Sequence, residues 1–288
     1  MRRELHEANR RSWNAATAAH DTHKGDQARF FREGGNTLHR EELELLGDLS
    51  GRSALHLQCN SGQDTLSLAR LGATVTGVDI SDTAIDFARR LSAEAGIPAT
   101  FYRADVYDWL AEAAGLPEQY DIVFCSYGTL CWLSDLKRWA AGIAAVLAPG
   151  GRLVVVDFHP VWLMFDDGWT LRYPYSGFGE DNLLLTDEGV GDYVAFELQE
   201  RVPGQPVPGI EAFQNPHPAY EFCWGIGDIV TAILEAGLRL EALREYPASP
   251  YTLRPGMRLI GDRWYPPESL PAIPLLFGLR AVRPHERS

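Results

Sequence analysis

Two groups of residues in this sequence have the types and spacing to hold a ligand or move a proton. The first is a polar turn, Gln58-Cys59-Asn60-Ser61-Gly62-Gln63, with the acid Asp79 in "TVTGVDIS". A turn between a strand and a helix presents backbone N–H groups and the positive end of the helix, and so favours a negatively charged group. A carboxylate at the end of the next strand is acceptor-only and two-pronged, which suits the paired hydroxyls of a ribose. The plainer role for Asp79 is to cap the helix beginning near residue 82, although Ser81 and Asp82 already supply cap signals.

The second group holds the candidate bases. "VDFHP" puts Asp157 and His159 on the same side of a period-two strand, at its end. His159 is the first candidate for removing a proton from an acceptor; the plainer role is to turn the chain before Pro160. His217 and Glu221 in "NPHPAYEFCW" form a second set, with His217 equally suited to a rigid loop between prolines. His20 is a third candidate. His56 lies within a strand and reads as a buried histidine, whereas His6, His23, His39 and His285 read as surface residues. No pair of histidines has metal-ligand spacing, so no metal is expected. The four cysteines, at 59, 125, 131 and 223, form no CxxC pair and are expected to be reduced thiols in a cytoplasmic protein.

The elements that must position these groups alternate. Strand-like runs cover 53–58, 74–79, 99–103, 120–126, 151–158 and 238–246, with a last apolar run in "IPLLFGLRAVRP". Helical patterns lie between them. The helix at 83–95 places Ile85, Ala88, Ser92 and Ala95 on one face, and the one after Ser134 places Leu136, Trp139, Ile143 and Leu147 on another. Runs such as Ile122-Val123-Phe124-Cys125 and Leu153-Val154-Val155-Val156 are apolar on both faces, as strands inside a helix-covered parallel sheet must be. Alternating strands and helices with short turns imply a doubly wound α/β sheet. Helices are also expected at 4–19, 37–47 and 227–236. Residues 160–224 break the rhythm, with strand-like pieces near 182–186 and 192–200; residues 247–270 are irregular again. A long insertion leaving the carboxyl end of a strand covers the crevice where such sheets bind ligands.

Composition narrows the function. With 288 residues, 45% of them hydrophobic, the chain can bury a full core. Twenty-six Lys and Arg against 39 Asp and Glu give a net charge of −13, which opposes binding to nucleic acid. No signal peptide and no membrane span are expected. A dinucleotide fingerprint needs three glycines so that backbone can touch a pyrophosphate, and this turn has Gly62 alone. That weighs against a nicotinamide-dependent oxidoreductase. It suits a ligand with a ribose and adenine but an amino-acid tail, and S-adenosyl-L-methionine is such a ligand.

Five pieces in order resemble the class I S-adenosylmethionine-dependent methyltransferases: "LHLQCNSGQDTLSLARLG", "VTGVDIS", "FYRADVYDW", "YDIVFCSYGTLCWLSDL" and "VLAPGGRLVVVDFHP". Gln58 and Asn60 stand where that family has an acid and a further glycine, a variant similar to a subset of bacterial small-molecule enzymes. The resemblance implies a Rossmann-like, mostly parallel seven-stranded sheet binding S-adenosyl-L-methionine. It implies Gln58, Asn60 and Gly62 at the turn, Asp79 on the ribose, Ile80 beside the adenine, and Asp105 and Val106 on the adenine edge. Ser126 and Tyr127 would face the methionine and methyl group, although Tyr127 could equally be a packing aromatic and Asp105 a helix cap. "SWNAATAAH" resembles a lid helix with Trp13 on its covering face.

The expected organisation is thus a helical lid at 1–47, a core at 48–159 and 225–284, and a substrate cap at 160–224. Aromatics of the cap, among them Trp162, Tyr193 and Phe178, point to an apolar or planar acceptor, or equally to packing of the insertion itself. The expected activity is O- or N-methylation of a small molecule, with a cofactor-binding protein without turnover as the alternative. A homo-oligomer is left open.

Overall fold

The computed structural model describes residues 1–175, 182–201 and 213–285; Phe178 lies outside them. Seven strands form the central sheet: β1 (Ser53–Leu57), β2 (Thr74–Asp79), β3 (Thr100–Arg103), β4 (Tyr120–Ser126), β5 (Leu147–Phe158), β8 (Arg239–Tyr246) and β11 (Leu276–Val282). Their order is β3-β2-β1-β4-β5-β11-β8. Every neighbouring pair is parallel from β3 through β5, and only β11 runs against its two neighbours. This is the seven-stranded, mostly parallel sheet expected above.

The two-faced apolar strands fix the layers. Leu55, Leu57, Val123, Cys125, Leu153 and Val155 face one core with α6 (Val106–Ala113), α7 (Leu136–Val146) and α9 (Ile226–Glu235). Their strand neighbours Ala54, Ile122, Phe124, Val154 and Val156 face the opposite core with α3 (Arg40–Leu46) and α4 (Gln63–Arg70). A third cluster joins α2 (Gln27–Arg32) to α5 (Asp82–Ala95) through Phe31, Ile85, Ala88 and Leu91. Each buried Leu, Ile, Val or Phe among these stabilises the fold by about 1.5–3 kcal/mol, so register errors, which would turn a strand over, are strongly disfavoured.

The polar turn after β1 sits close against β2 and β3. Gly62 has φ +81°, and a Cβ there would lie 2.8 Å from Ala88 Cβ. A Cβ on Gly77 in β2 would lie 2.7 Å from the Phe101 ring and 2.9 Å from Cys59 Sγ. Both positions therefore need glycine for contact reasons, and Gly62 for backbone reasons too.

Asp157, near the end of β5, is buried and gathers the loop after β4. Its carboxylate accepts the backbone N–H groups of Gly128 (2.5 Å), Thr129 (3.1 Å), Leu130 (3.0 Å) and Phe158 (2.7 Å). Asp157 thereby holds one sheet edge of the crevice in a single shape.

Between β5 and α9 the chain forms β6 (Leu183–Thr186), α8 (Tyr193–Arg201) and β7 (Ala219–Phe222), and β6 pairs antiparallel with β7. The strand expected at 192–200 is instead α8. Its alternating Val194 and Phe196 imitate a strand, but Asp192 caps a helix by accepting the N–H of Ala195 at 3.0 Å. The first helix, α1 (Arg3–His23), packs on α5, α8 and β7. The irregular stretch after β8 contains a hairpin of β9 (Arg258–Ile260) and β10 (Arg263–Tyr265). No helix among the described residues is long and apolar enough to cross a membrane.

Asp157→Asn replaces one acceptor oxygen by a donor facing backbone N–H groups. We expect a loss of roughly 2–3 kcal/mol of stability, read as a lowered denaturation midpoint with an unchanged m-value. A midpoint equal to wild type would mean that the loop is held by other contacts.

Candidate active site

A cavity of about 870 Å³ opens along the carboxyl ends of β1, β2 and β4. Its wall includes Gln58, Asn60, Asp79, Ile80, Asp105 and Val106 from the sheet side. Ser126 and Tyr127 after β4, and Trp13 from α1, also line it. Nine of the ten residues expected to hold a cofactor are thus brought together. Gly62 does not line the wall; it shapes the turn from behind.

Gln58 and Asn60 both have left-handed backbones, with φ of 54° and 47°. This conformation is strained for a side-chain-bearing residue, less so for Asn. Gln58 Nε2 donates to the carbonyl of Thr129 at 2.9 Å, which fixes the amide and ties it to the loop that Asp157 gathers. Gln58 Oε1 is buried with no hydrogen-bond partner among the described residues. A buried acceptor without a donor costs free energy, and a ligand ammonium or N–H would satisfy it. This atom is the observation that best fits the amino group of a methionine tail.

Asp79 accepts the N–H of Asn60 through Oδ2 and that of Ser81 through Oδ1, both at 2.8 Å. Ser81, not Asp79, caps α5, accepting from Ala84 N at 3.2 Å. Asp79 therefore keeps lone pairs free for hydroxyls. Burial raises its pKa to about 6, and the two N–H groups oppose that rise.

Asp105 is both a helix cap and a wall residue. It caps α6 by accepting from Tyr107 N at 2.9 Å, and it lines the cavity. His6 Nδ1 donates to its Oδ2 at 2.7 Å, while His6 Nε2 meets Ser134 Oγ at 2.7 Å. Burial pushes the carboxyl up, but the hydrogen bond and charge of His6 outweigh it and hold the pKa below the usual value. Val106 belongs to the first turn of α6, whose N–H groups lack intrahelical partners and can meet a ligand. His6 is therefore buried, not a surface residue. The two partners lie 99 positions apart, and sequence spacing carries no signal of their contact.

Lys24 was also missed. It lines the cavity and donates to Ser61 Oγ at 3.0 Å beside the first turn of α4, with Asp21 at 3.2 Å. A cation beside that helix start is suited to a ligand carboxylate.

The candidate bases fare differently. His159 lies off the cavity wall, because the chain turns past the end of β5. His159 Nε2 donates to Glu245 Oε1 at 2.8 Å and its Nδ1 accepts from Val161 N at 3.2 Å, so both ring nitrogens are engaged. His217 also lies off the wall; its N–H donates to Asn215 and its carbonyl accepts from Ser12. His20 is buried behind Tyr193, with ring centroids 4.2 Å apart, and Nε2 donates to Gly191 O. Desolvation lowers its pKa to about 4. These three make packing and loop contacts and do not line the cavity. His56 lines the cavity but is buried, bonded to Thr65 through Nδ1, and lowered to about 4 by desolvation. His23 is paired with Asp192 at 3.0 Å, and His39 is half-buried; of the four expected surface histidines, only His285 is exposed.

Glu221 remains. It lines the cavity, has no hydrogen-bond partner among the described residues, and is raised in pKa by burial. Trp13 packs edge-on to Trp132 and Tyr193, at 5.4 and 6.2 Å, and so closes the wall from α1.

Comparison with known proteins agrees with this geometry. Residues 54–151 match the family model for a methyltransferase domain. Ubiquinone biosynthesis O-methyltransferase of Aromatoleum aromaticum (strain DSM 19018 / LMG 30748 / EbN1) is 30% identical over 162 residues, covering 56% of this chain and 64% of that one. Demethylmenaquinone methyltransferase of Tropheryma whipplei (strain Twist) is 33% identical over 128 residues, 42% of this chain and 48% of its own. The chain therefore spans less than two thirds of the length of these curated relatives. A S-adenosylmethionine-dependent methyltransferase from Clostridium acetobutylicum ATCC 824 shares the fold, with a TM-score of 0.54 at 10% identity over 86% of this chain and 93% of that one. Residues 54–151 thus match a methyltransferase domain, and the chain is similar in sequence and fold to the class I S-adenosylmethionine-dependent methyltransferases. S-adenosyl-L-methionine is the cofactor of that class.

Asp79→Ala should weaken affinity for S-adenosylhomocysteine by about 1.5–3 kcal/mol in calorimetric titration, with the fold retained. In wild type the ionised carboxylate is the acceptor. Affinity should therefore be full above pH 6 and fall, by up to about tenfold per unit, as pH drops through the raised pKa. A flat profile with unchanged Asp79→Ala affinity would assign the ribose elsewhere.

Proposed function

We propose that the protein transfers the methyl group of S-adenosyl-L-methionine to a small-molecule acceptor held in the same cavity. The observation that carries this reading is the continuity of one wall. Gln58, Asp79 and Asp105 share it with a second set of groups, Asp64, Tyr127, Glu221 and Tyr251. Small-molecule sites run about 300–1,000 Å³, so a volume of about 870 Å³ leaves room for an acceptor beside the cofactor.

The cofactor supplies a methyl carbon already activated by a sulfonium. The chain's own contribution is position and the exclusion of water. Gln58 Oε1 and Lys24 hold the amino-acid end, and Asp79 orients the ribose. Trp13, with Trp162 and residues 189–197 of the inserted segment, covers the donor; the described part of that segment acts as a cap carrying acceptor specificity. Glu221 is the base: its carboxylate takes the proton from an acceptor hydroxyl or ammonium. A raised pKa suits this work, because a carboxylate nearer neutrality takes protons more readily. The curated relatives are named for ubiquinone and menaquinone steps. They support a small-molecule acceptor, and O- or N-methylation fits the site equally at this level.

Glu221→Gln keeps the size of the side chain and removes the base. With an accepted substrate, turnover should fall by about 10²–10⁴-fold while S-adenosylhomocysteine affinity stays within about twofold. Full turnover in Glu221→Gln would mean that no side-chain base at this position is needed. Release of S-adenosylhomocysteine by wild type across an acceptor panel measures the activity itself. Failure of all hydroxyl and amine acceptors, with the cofactor bound, would favour a cofactor-binding protein without turnover.

A further inference from the structure

Beyond the cofactor residues, the cavity runs into a compartment walled by Tyr127, Phe158 and Tyr251. The three rings touch one another: Tyr127 lies 5.1 Å from Tyr251 and 5.8 Å from Phe158, and Phe158 lies 6.5 Å from Tyr251. Their arrangement is edge-to-face or tilted, so ring faces as well as edges border the space. An aromatic corner by itself is ordinary packing. What sets this one apart is the charge behind it.

Asp64 lines the same compartment, and among the described residues its carboxylate receives only hydroxyl donors. Thr37 Oγ1 donates to Oδ1 at 2.6 Å and Ser126 Oγ to Oδ2 at 3.1 Å. Glu42 lies fully buried behind the corner, accepts from Tyr127 OH at 3.2 Å and from His39 N at 2.6 Å, and leaves Oε1 without a partner among the described residues; burial and the neighbouring Asp64 push its carboxyl well above the usual range, so the negative charge of the corner rests on Asp64. Glu221, also on the wall, has no counter-ion among the described residues.

The nearby cations are committed elsewhere. Arg263 pairs with Glu41 and Asp262, both within 2.9 Å. Arg201 pairs with Glu197 at 2.6 Å, and Lys24 with Asp21 at 3.2 Å and Ser61 Oγ at 3.0 Å. Arg254 sits on the Trp162 ring at 4.8 Å and donates to Phe165 O. The described histidines near the corner are His56, lowered to about 4, and His39, also lowered by burial, so neither brings positive charge at neutral pH. A carboxylate without a counter-ion, Asp64, beside a half-enclosed aromatic wall forms an environment completed by a cation.

We propose that this compartment recognises a cationic amine on the acceptor. The amine charge lies against the ring faces of Tyr127 and Tyr251, with Asp64 as its counter-ion. This rests on the assignment of the neighbouring end of the cavity to the cofactor. The amine is a recognition group, whether or not it is the atom that receives the methyl.

The test uses the full chain and choline as the cationic probe, with 3,3-dimethylbutan-1-ol as its neutral isostere. S-adenosylhomocysteine is titrated first by calorimetry; each probe is then titrated into the saturated complex at pH 7.5. Choline should bind at least about tenfold more tightly than the isostere. Tyr251→Leu and Asp64→Asn should each reduce choline affinity by about five- to tenfold, with retained S-adenosylhomocysteine binding certifying the fold. If S-adenosylhomocysteine binds but choline binds no better than its isostere, the amine assignment is overturned while the cofactor assignment stands. The carboxylates would then serve the sulfonium alone. If S-adenosylhomocysteine itself fails to bind, both assignments fall.

Discussion

The site depends on one buried carboxylate that lies behind the cavity wall. Asp157 draws in the N–H groups of Gly128, Thr129 and Leu130, and Thr129 in turn offers its carbonyl to Gln58 Nε2. The end of β5, the loop after β4 and the turn after β1 are thereby locked to each other. Without that chain of bonds Gln58 would have no reason to hold a left-handed backbone, and its unpaired Oε1 would have no fixed direction. Burial raises the pKa of Asp157, yet the backbone donors it gathers oppose that rise and favour the ionised form. A charge placed where only backbone N–H groups can answer it gives the crevice one shape before any ligand arrives.

The same economy explains the unusual turn. The class has a glycine where this chain has Asn60, and the structure shows Asn60 taking the left-handed conformation that glycine would take freely. Asn60 then adds what glycine lacks: its Oδ1 accepts from Ser61 N at 2.7 Å, and its Nδ2 reaches Tyr193 OH at 3.4 Å on α8. The turn is thus joined to the inserted segment as well as to the sheet. Gly62 remains glycine because Ala88 and Phe101 leave no space for a side chain.

Much of this was legible in the sequence, and the limits have physical causes. The sheet could be read because Ile122 to Cys125 and Leu153 to Val156 are apolar on both faces, a pattern with few structural solutions. The residues of the cavity wall could be read because they sit at strand ends, where the fold fixes position. The bases could not. His159 and His217 look chemical as residue types, but their orientation depends on distant partners, Glu245 and Ser12, that no local pattern announces. His6 and Glu42 were invisible for the same reason. The helix at Tyr193–Arg201 was hidden by its alternating apolar residues; its cap, Asp192, was the available signal.

The central claim is that one cavity holds the methyl donor with its ribose on Asp79 and its amino group on Gln58 Oε1. A crystal structure of the protein soaked with S-adenosylhomocysteine tests this most directly. The account predicts density along the carboxyl ends of β1, β2 and β4, with both ribose hydroxyls within hydrogen-bond reach of the Asp79 carboxylate. The ligand ammonium should lie on Gln58, and the adenine between Ile80 and Val106. Density for the ligand outside this cavity, or within it with the ribose turned away from Asp79, would contradict the account.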